Sequence, residues 1–225
     1  MNIIQASDAS LLVVFGDIIS PEFHKRVIAL YRALQTDSDP RIRNLHPAYT
    51  SILIDFDPLR LSHTELADHV EKLTSTSAPE PNSGANVVEL PVCYGGEFGP
   101  DLGDVATHNK LPPEEVIRLH SSAIYLVYFL GFSPGFAYMG GLPERLQIPR
   151  LQNPRKFVKA GTVGIAGGQT GVYPVDSPGG WRLIGRTPMR MFDPNASPPT
   201  RLQPGDQVKF ASIDRSTFYL MQKAL

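Results

Sequence analysis

GFSPGFAYMGGLPERLQIPR (Gly131–Arg150) and, after a short link, AGTVGIAGGQTGVYPVDSPGGWRLIGR (Ala160–Arg186) decide how this chain folds. Twelve of its 19 glycines, six prolines and its only tryptophan, Trp181, lie between Gly131 and Arg186. That density predicts tight turns and places where backbone is approached closely. The stretch is not filler, because Phe132, Phe136, Tyr138, Val163, Ile165, Val172, Leu183 and Ile184 supply apolar surface enough for a core. It reads as β-structure with ordered loops and a pocket.

Around it the pattern is also β-rich. AIYLVYFL (123–130) is the most apolar run of the chain. At eight residues it is too short to span a bilayer as a helix and reads as a core strand. Further strands are expected at 162–166, 171–174, 181–186 and 189–192, and at Gln207–Phe210 after the turn Gln203-Pro204-Gly205-Asp206. VVELPVCY (87–94) is a strand whose Pro91 favours a sheet edge. Short helices are expected from Asp101, as N-cap with Asp104 in the first turn, over Pro113–His120, and from about Arg215. The second half therefore reads as a β-barrel or compact sandwich with a few helices.

The first half has a different rhythm. SLLVVF (10–15) reads as a buried strand, and Ser20-Pro21 as a helix N-cap and first-turn proline. Phe23, Val27, Leu30, Tyr31 and Leu34 follow at helical spacing. RIRNLHP and YTSILIDF within 41–57 are strand-like. Ser62-His63-Thr64-Glu65 is a capping box, with Leu61 and Leu66 placed as a hydrophobic staple. The order β-α-β-β-α predicts a ferredoxin-like split βαβ unit completed by a strand near Val87–Val92. TSTSAPEPNSGAN (74–86) is the linker candidate. The expected class is α+β: an N-terminal α/β domain over 1–84 and a second domain over 85–225.

Composition excludes several functions. The chain has 225 residues, 42% hydrophobic and 19% charged, with a formal net charge of −1. It carries no electrostatic footprint for nucleic acid. The single cysteine, Cys93, permits no internal disulfide and no multi-cysteine zinc site. The opening MNIIQASDASLLVVFGD lacks a basic n-region and a long apolar run, so neither signal peptide nor membrane span is expected, and the cytoplasm is the expected compartment.

Gly131-Phe132-Ser133-Pro134-Gly135 matches the G-x-S-x-G of serine hydrolases and follows an apolar strand. That mechanism takes an oxyanion donor from the backbone N–H after the serine, and Pro134 has none. Losing one such donor costs about 10²–10³ in rate, which argues against a serine hydrolase. His120, at the end of a predicted helix, is either a dipole-facing histidine or a proton shuttle at the pocket mouth. The other histidines form no metal motif, and no phosphate-binding loop of G-x-x-x-x-G-K-[ST] type occurs. Arg150, Arg182 and Arg186 are the anion-binding candidates, since a guanidinium grips carboxylate or phosphate with two bonds. Gln169 offers an amide, and Ser177–Trp181, with Gly179 and Gly180, is either a nest of backbone N–H groups or a plain hairpin. Phe132, Pro134, Gly135, Phe136, Tyr138 and Trp181 are expected to line the pocket or a partner surface.

Long motifs here resemble one family: GFSPGFAYMGGLP (131–143), Pro149-Arg150, AGTVGIAGGQTGVYP (160–174), SPGGWRLIGRT (177–187) and Met191-Phe192-Asp193-Pro194, with LHSS (119–122) and PVCYGGEFGPDL (91–102). The chain is similar to the allophanate hydrolase subunit 1, or carboxyltransferase-type, family over about residues 85–211. The resemblance implies a cyclophilin-like β-barrel after a small α/β domain. Family members include one component of the bacterial three-component 5-oxoprolinase, which opens 5-oxoproline to L-glutamate with ATP. In that enzyme it is the B component. The resemblance then implies the C component as partner, the A component more loosely, a small anionic substrate and ATP used by the complex, while the missing nucleotide motif and the lack of a convincing nucleophile predict an isolated chain nearly without activity. The same family includes an inhibitor of histidine-kinase autophosphorylation and urea- or allophanate-processing relatives, which imply the alternative roles. In the first role, Arg150, Arg182 and the Gly179-Gly180 turn are expected to hold anionic groups, and His120 to transfer a proton.

Overall fold

The computed structural model of the chain describes residues 1–76 and 87–224. It divides into two compact units, Met1–Gly84 and Ala85–Leu225.

The first unit runs β1 (Asn2–Ser7), β2 (Ser10–Val14), α1 (Pro21–Asp37), β3 (Ile42–Pro47), β4 (Ser51–Phe56) and α2 (His63–Thr76). The sheet order is β1-β2-β4-β3, with every neighbouring pair antiparallel. Ile52, Ile54 and Phe56 alternate inward along β4 and meet Val27, Leu30, Leu66 and Val70 of the helices. The helix starts follow their sequence signals. The Ser20 side chain accepts from the Glu22 N–H ahead of Pro21. Ser62 and Glu65 bond reciprocally, Ser62 N–H to Glu65 Oε2 at 2.8 Å and Glu65 N–H to Ser62 Oγ at 3.3 Å.

The completing strand differs from the sequence expectation. The place beside β2 is taken by β1 from the front of the unit, and Val87–Val92 belongs to the second unit. The order of the remaining elements is that of a split βαβ unit, permuted so that its closing strand comes first. MNIIQAS gives no alternation to announce it, since five of its strand residues are exposed at the sheet edge. The linker expected at 74–86 begins inside α2, and from residue 77 it lies outside the described residues.

The second unit comprises β5 (Val87–Tyr94), α3 (Leu102–His108), α4 (Pro113–Ser122), β6 (Ile124–Leu130), β7 (Ala137–Gly140), a single 3-10 turn (Glu144–Leu146), β8 (Arg155–Val158), β9 (Thr162–Ala166), β10 (Gln169–Val172), β11 (Ser177–Gly179), β12 (Arg182–Arg186), β13 (Gln207–Ser212) and α5 (Arg215–Ala224). Seven strands close into a barrel in the order β10-β7-β6-β13-β5-β12-β9, while β8 and β11 form a separate two-stranded ribbon. The architecture is thus α+β with a C-terminal barrel. Pro91 does not mark an edge, because β5 lies between β13 and β12. Its missing N–H is tolerated because β12 pairs only with Cys93 and Tyr94, leaving Pro91 paired on one flank. Residues 189–192 form no strand, only a single bridge from Phe192 to Thr200. Among the described residues no helix is long and apolar enough to cross a membrane.

Along β7, β9, β10 and β12 no residue of the barrel wall is fully exposed on either face. Ala137, Met139, Val163, Ile165, Val172 and Ile184 point into the barrel core. Their strand neighbours Phe136, Tyr138, Ala166, Trp181 and Leu183 form a second, aromatic cluster on the outer face. Two glycines make that outer layer possible. A Cβ at Gly171 would stand 3.0 Å from the Phe136 ring, and one at Gly179 would collide with the Tyr173 hydroxyl.

Asp101 ties these layers together. It sits at the start of α3, yet its carboxylate makes no cap bond. Instead Oδ2 accepts the Leu183 N–H at 2.7 Å and Oδ1 accepts from Arg155 Nη2 at 2.6 Å. The Asp101 N–H in turn donates to the Leu183 carbonyl at 2.9 Å. Asp101 therefore takes the place of a neighbouring strand where β5 has stopped pairing with β12, and clips the ribbon strand β8 to the barrel. Removing the buried carboxylate strips the Leu183 N–H and the partly exposed Arg155 of an acceptor. Asp101→Ala is expected to lower the unfolding free energy of this unit by about 2 kcal/mol, read as a lower urea midpoint. Asp101→Asn, which keeps an acceptor for Leu183, should fall between it and the parent chain.

Candidate functional site

On the outer face of the barrel wall, Phe132, Phe136, Tyr138, Arg150, Gln169, Tyr173, Gly179, Gly180 and Trp181, with Pro149, Ala166 and Gly167, enclose a cavity of ≈ 360 Å³. Strand alternation places Phe136 just before β7, Tyr138 on β7, Gln169 on β10 and Trp181 just before β12 on this face. Phe136 is the floor. Four rings stand edge-on around it: Tyr138 at 5.0 Å, Tyr173 at 5.2 Å, Trp181 at 5.4 Å and Phe132 at 5.6 Å between centroids. Such edge-to-face contacts add stabilisation beyond the area they bury. The backbone of Trp181 bonds to the Tyr173 hydroxyl, and burial raises the Tyr173 pKa, so the phenol stays neutral.

Against these apolar walls stands one cation. Arg150 is the only charged residue in the lining, and no carboxylate among the described residues pairs with it. One of its guanidinium nitrogens lies 3.7 Å from where a Gly180 Cβ would be, which sets the head group beside the Gly179-Gly180 turn. Arg150 is exposed, and a guanidinium at the rim of an aromatic pocket suits one small carboxylate.

The structure separates the remaining sequence candidates. Arg182 does not face the cavity: it reaches Asp104 at 3.4 Å and the Pro149 carbonyl at 3.5 Å. Arg186 donates to the Ala160 carbonyl at 3.0 Å. Pro134 and Gly135 shape the β6–β7 turn and do not line the cavity; Gly135 has φ +83° and packs against Phe192. Ser133 lies in a strand–turn–strand connection, not a strand–turn–helix elbow. Its Oγ is buried with no hydrogen-bond partner among the described residues, so no base activates it. Tyr173 escapes the sequence reading. The aromatic between Val172 and Pro174 in the same glycine-rich run is the available signal.

His120 is neither of the two things its sequence position suggests. It is fully buried inside the barrel, stacked at 4.6 Å on Phe210, and does not line the cavity. Burial drives its pKa down to about 3, so it is neutral and gains nothing from the helix dipole. Its contacts fix the tautomer. The Thr170 hydroxyl donates to the Gly164 carbonyl at 3.1 Å, so it accepts from His120 Nε2–H at 3.0 Å. Nδ1 then accepts the Tyr94 hydroxyl proton at 2.8 Å. Burial pushes the Tyr94 pKa well up, which keeps it a donor. The Tyr125 hydroxyl donates to the His120 carbonyl at 2.8 Å. The result is a satisfied neutral chain, Tyr94–His120–Thr170–Gly164, directly behind Gln169.

Comparison with known proteins follows the same lines. Residues 1–202 match the family described as "Carboxyltransferase domain, subdomain C and D", and the chain belongs to that family. Within it, the B subunit of 5-oxoprolinase from Bacillus subtilis is 41% identical, over 96% of this chain and 94% of that protein. The B subunit of 5-oxoprolinase from Haemophilus influenzae is 42% identical, over 93% and 97%. The crystal structure of TTHA0988 superposes with a TM-score of 0.83 at 38% identity, covering 91% of this chain. This chain spans 40% of the length of that solved chain.

The buried imidazole makes stability depend on pH. The unfolded chain protonates His120 near 6.5, the folded protein only near 3. Between these values the unfolded state binds more protons, so stability is full above about pH 6.5 and is lost as pH falls towards 3. The slope approaches about 1.4 kcal/mol per pH unit within that window. His120→Gln, which keeps polar contacts but does not titrate, is expected to show a flatter dependence of its urea midpoint between pH 7 and pH 4.5. Identical slopes in the two proteins would refute the assignment.

Proposed function

We propose that this chain is the B subunit of an ATP-dependent 5-oxoprolinase, acting with the A and C components to open 5-oxoproline to L-glutamate. The observation that carries the reading is 41% and 42% identity to proteins of that name over nearly the whole of both lengths. The cavity supports it, because 5-oxoproline is a compact ring with one carboxylate. Arg150 takes the carboxylate, the aromatic walls take the ring methylenes, and the Gln169 amide faces the lactam.

The lactam is a planar, resonance-stabilised amide and a poor electrophile. Phosphoryl transfer from ATP to its oxygen makes the ring carbon reactive. Addition of one water breaks the ring C–N bond and leaves an acyl phosphate, and a second water releases phosphate and glutamate. This chain offers the small acid a place but offers ATP little: one guanidinium does not balance a triphosphate, and the sequence holds no loop of G-x-x-x-x-G-K-[ST] type. Nucleotide handling therefore falls to the assembled hetero-oligomer, which works in the cytoplasm. His120 takes no part in proton transfer to substrate, being neutral and behind the wall.

Two measurements test this. The isolated chain is expected to form no glutamate from 5-oxoproline and ATP, whereas the chain co-assembled with the A and C components is expected to do so. Turnover by the chain alone, or none by the complex, would sink the proposal. Within the complex, Arg150→Ala should raise KM for 5-oxoproline about 10- to 100-fold, the worth of one charge-assisted hydrogen-bonded pair.

A further inference from the structure

The loop that bounds the cavity holds its aromatic in an unfavourable backbone conformation. Phe132 has φ +69°, the left-handed region that bulky residues avoid. Gly131 stands next to it and Gly135 in the same turn, yet the strained position carries a phenyl ring. The turn is over-determined. Ser133 N–H bonds to the Gly131 carbonyl at 2.8 Å, Phe136 N–H to the Ser133 carbonyl at 3.0 Å, and Gly131 N–H to the Phe136 carbonyl at 3.0 Å. These bonds hold the Phe132 ring edge-on to Phe136 and, at 6.5 Å, to Tyr173, while 62% of the residue remains exposed. In the free protein the ring gains little burial for its strain. Strain that persists under such constraint marks a residue whose value is realised on binding.

Charge sharpens what is bound. With Arg150 the only charged group in the lining, the cavity neutralises one carboxylate. A second carboxylate would lie against aromatic faces, whose quadrupole is negative. An added ammonium would find no anionic partner in the lining and would lose its water, a cost that contact with the same aromatic faces offsets by only about 0.5–2 kcal/mol.

We propose that Phe132 is the specificity-determining wall of this cavity, and that the cavity selects a singly charged cyclic acid over the ring-opened amino dicarboxylate made from it. The inference rests on the reading of the chain as part of a 5-oxoprolinase. It implies that ring opening itself ejects the product: one carboxylate on an apolar ring becomes two carboxylates and an ammonium.

Trp181 is both the chain's only tryptophan and a wall of the cavity, so its fluorescence reports on this site. Titration of the full chain with 5-oxoproline and with cyclopentanecarboxylate is expected to saturate, and L-glutamate to bind at least about tenfold more weakly. Phe132→Gly and Phe132→Ala should each weaken binding of the ring acids about tenfold. Only Phe132→Gly, which relieves the strain, should also raise Tm, by about 2–5 °C. In the assembled complex both variants should raise KM for 5-oxoproline with kcat within about twofold. Equal binding of glutamate and 5-oxoproline, or an unchanged KM in Phe132→Gly, overturns the proposal. Turnover by the complex with no ligand binding at Trp181 overturns this inference and leaves the proposed function standing. Ring-acid binding with no turnover by the complex does the reverse.

Discussion

The closed barrel wall has no fully exposed residue along β7, β9, β10 and β12, and that constraint governs the rest of the molecule. Each successive residue must satisfy a different buried environment. Gln169 faces the aromatic cavity, while Thr170, one residue on, accepts a hydrogen bond from His120 inside the barrel. Phe136 and Tyr138 build the outer layer, and Ala137 between them packs into the core. A one-residue slip in β10 would bury the glutamine amide in the barrel and withdraw the threonine hydroxyl from the imidazole. The neutral Tyr94–His120–Thr170–Gly164 chain therefore acts as a register pin, since it is satisfied in only one alignment of the strand.

Much of this is legible in the sequence, and the exceptions have physical causes. Helix starts at Ser20-Pro21 and Ser62–Glu65 are readable because a cap is a local arrangement between residues two or three apart. The core strand after His120 and the alternation in β4 are readable from periodicity. The strand β1 is not, because an exposed edge strand carries no alternation. The glycines read as turns, which holds for Gly135, whose φ is positive. Gly171 and Gly179 serve otherwise, as gaps into which Phe136 and Tyr173 fit, and nothing local distinguishes the two uses.

The site divides in the same way. Arg150 and the aromatics can be named from the company they keep in the sequence, and the fold brings them together. Arg182 sits in the same company but is drawn aside by Asp104, 78 residues earlier. His120 depends on Thr170, 50 residues later, and on Tyr94, 26 residues earlier. Asp101 is readable as a helix N-cap by position, but its carboxylate serves Arg155 and Leu183. In each case a polar group is claimed by a partner distant in sequence, which only the closed barrel brings within reach.

The parallel pairing of β5 with β13 sets a limit on how this unit is made. Val87 lies opposite Gln207, 120 residues apart in the sequence, and β13 also bridges β5 to β6. Strands β6, β7, β10, β9 and β12 can associate through antiparallel neighbours close in sequence, but the ring stays open until β13 arrives. Closing so long a loop costs entropy that no local contact returns in advance. On the ribosome, the β5 and β6 edges stay unpaired through synthesis of everything before β13. Throughout that interval the nascent chain exposes two adhesive margins, and it is then most open to capture by a chaperone or by another copy of itself.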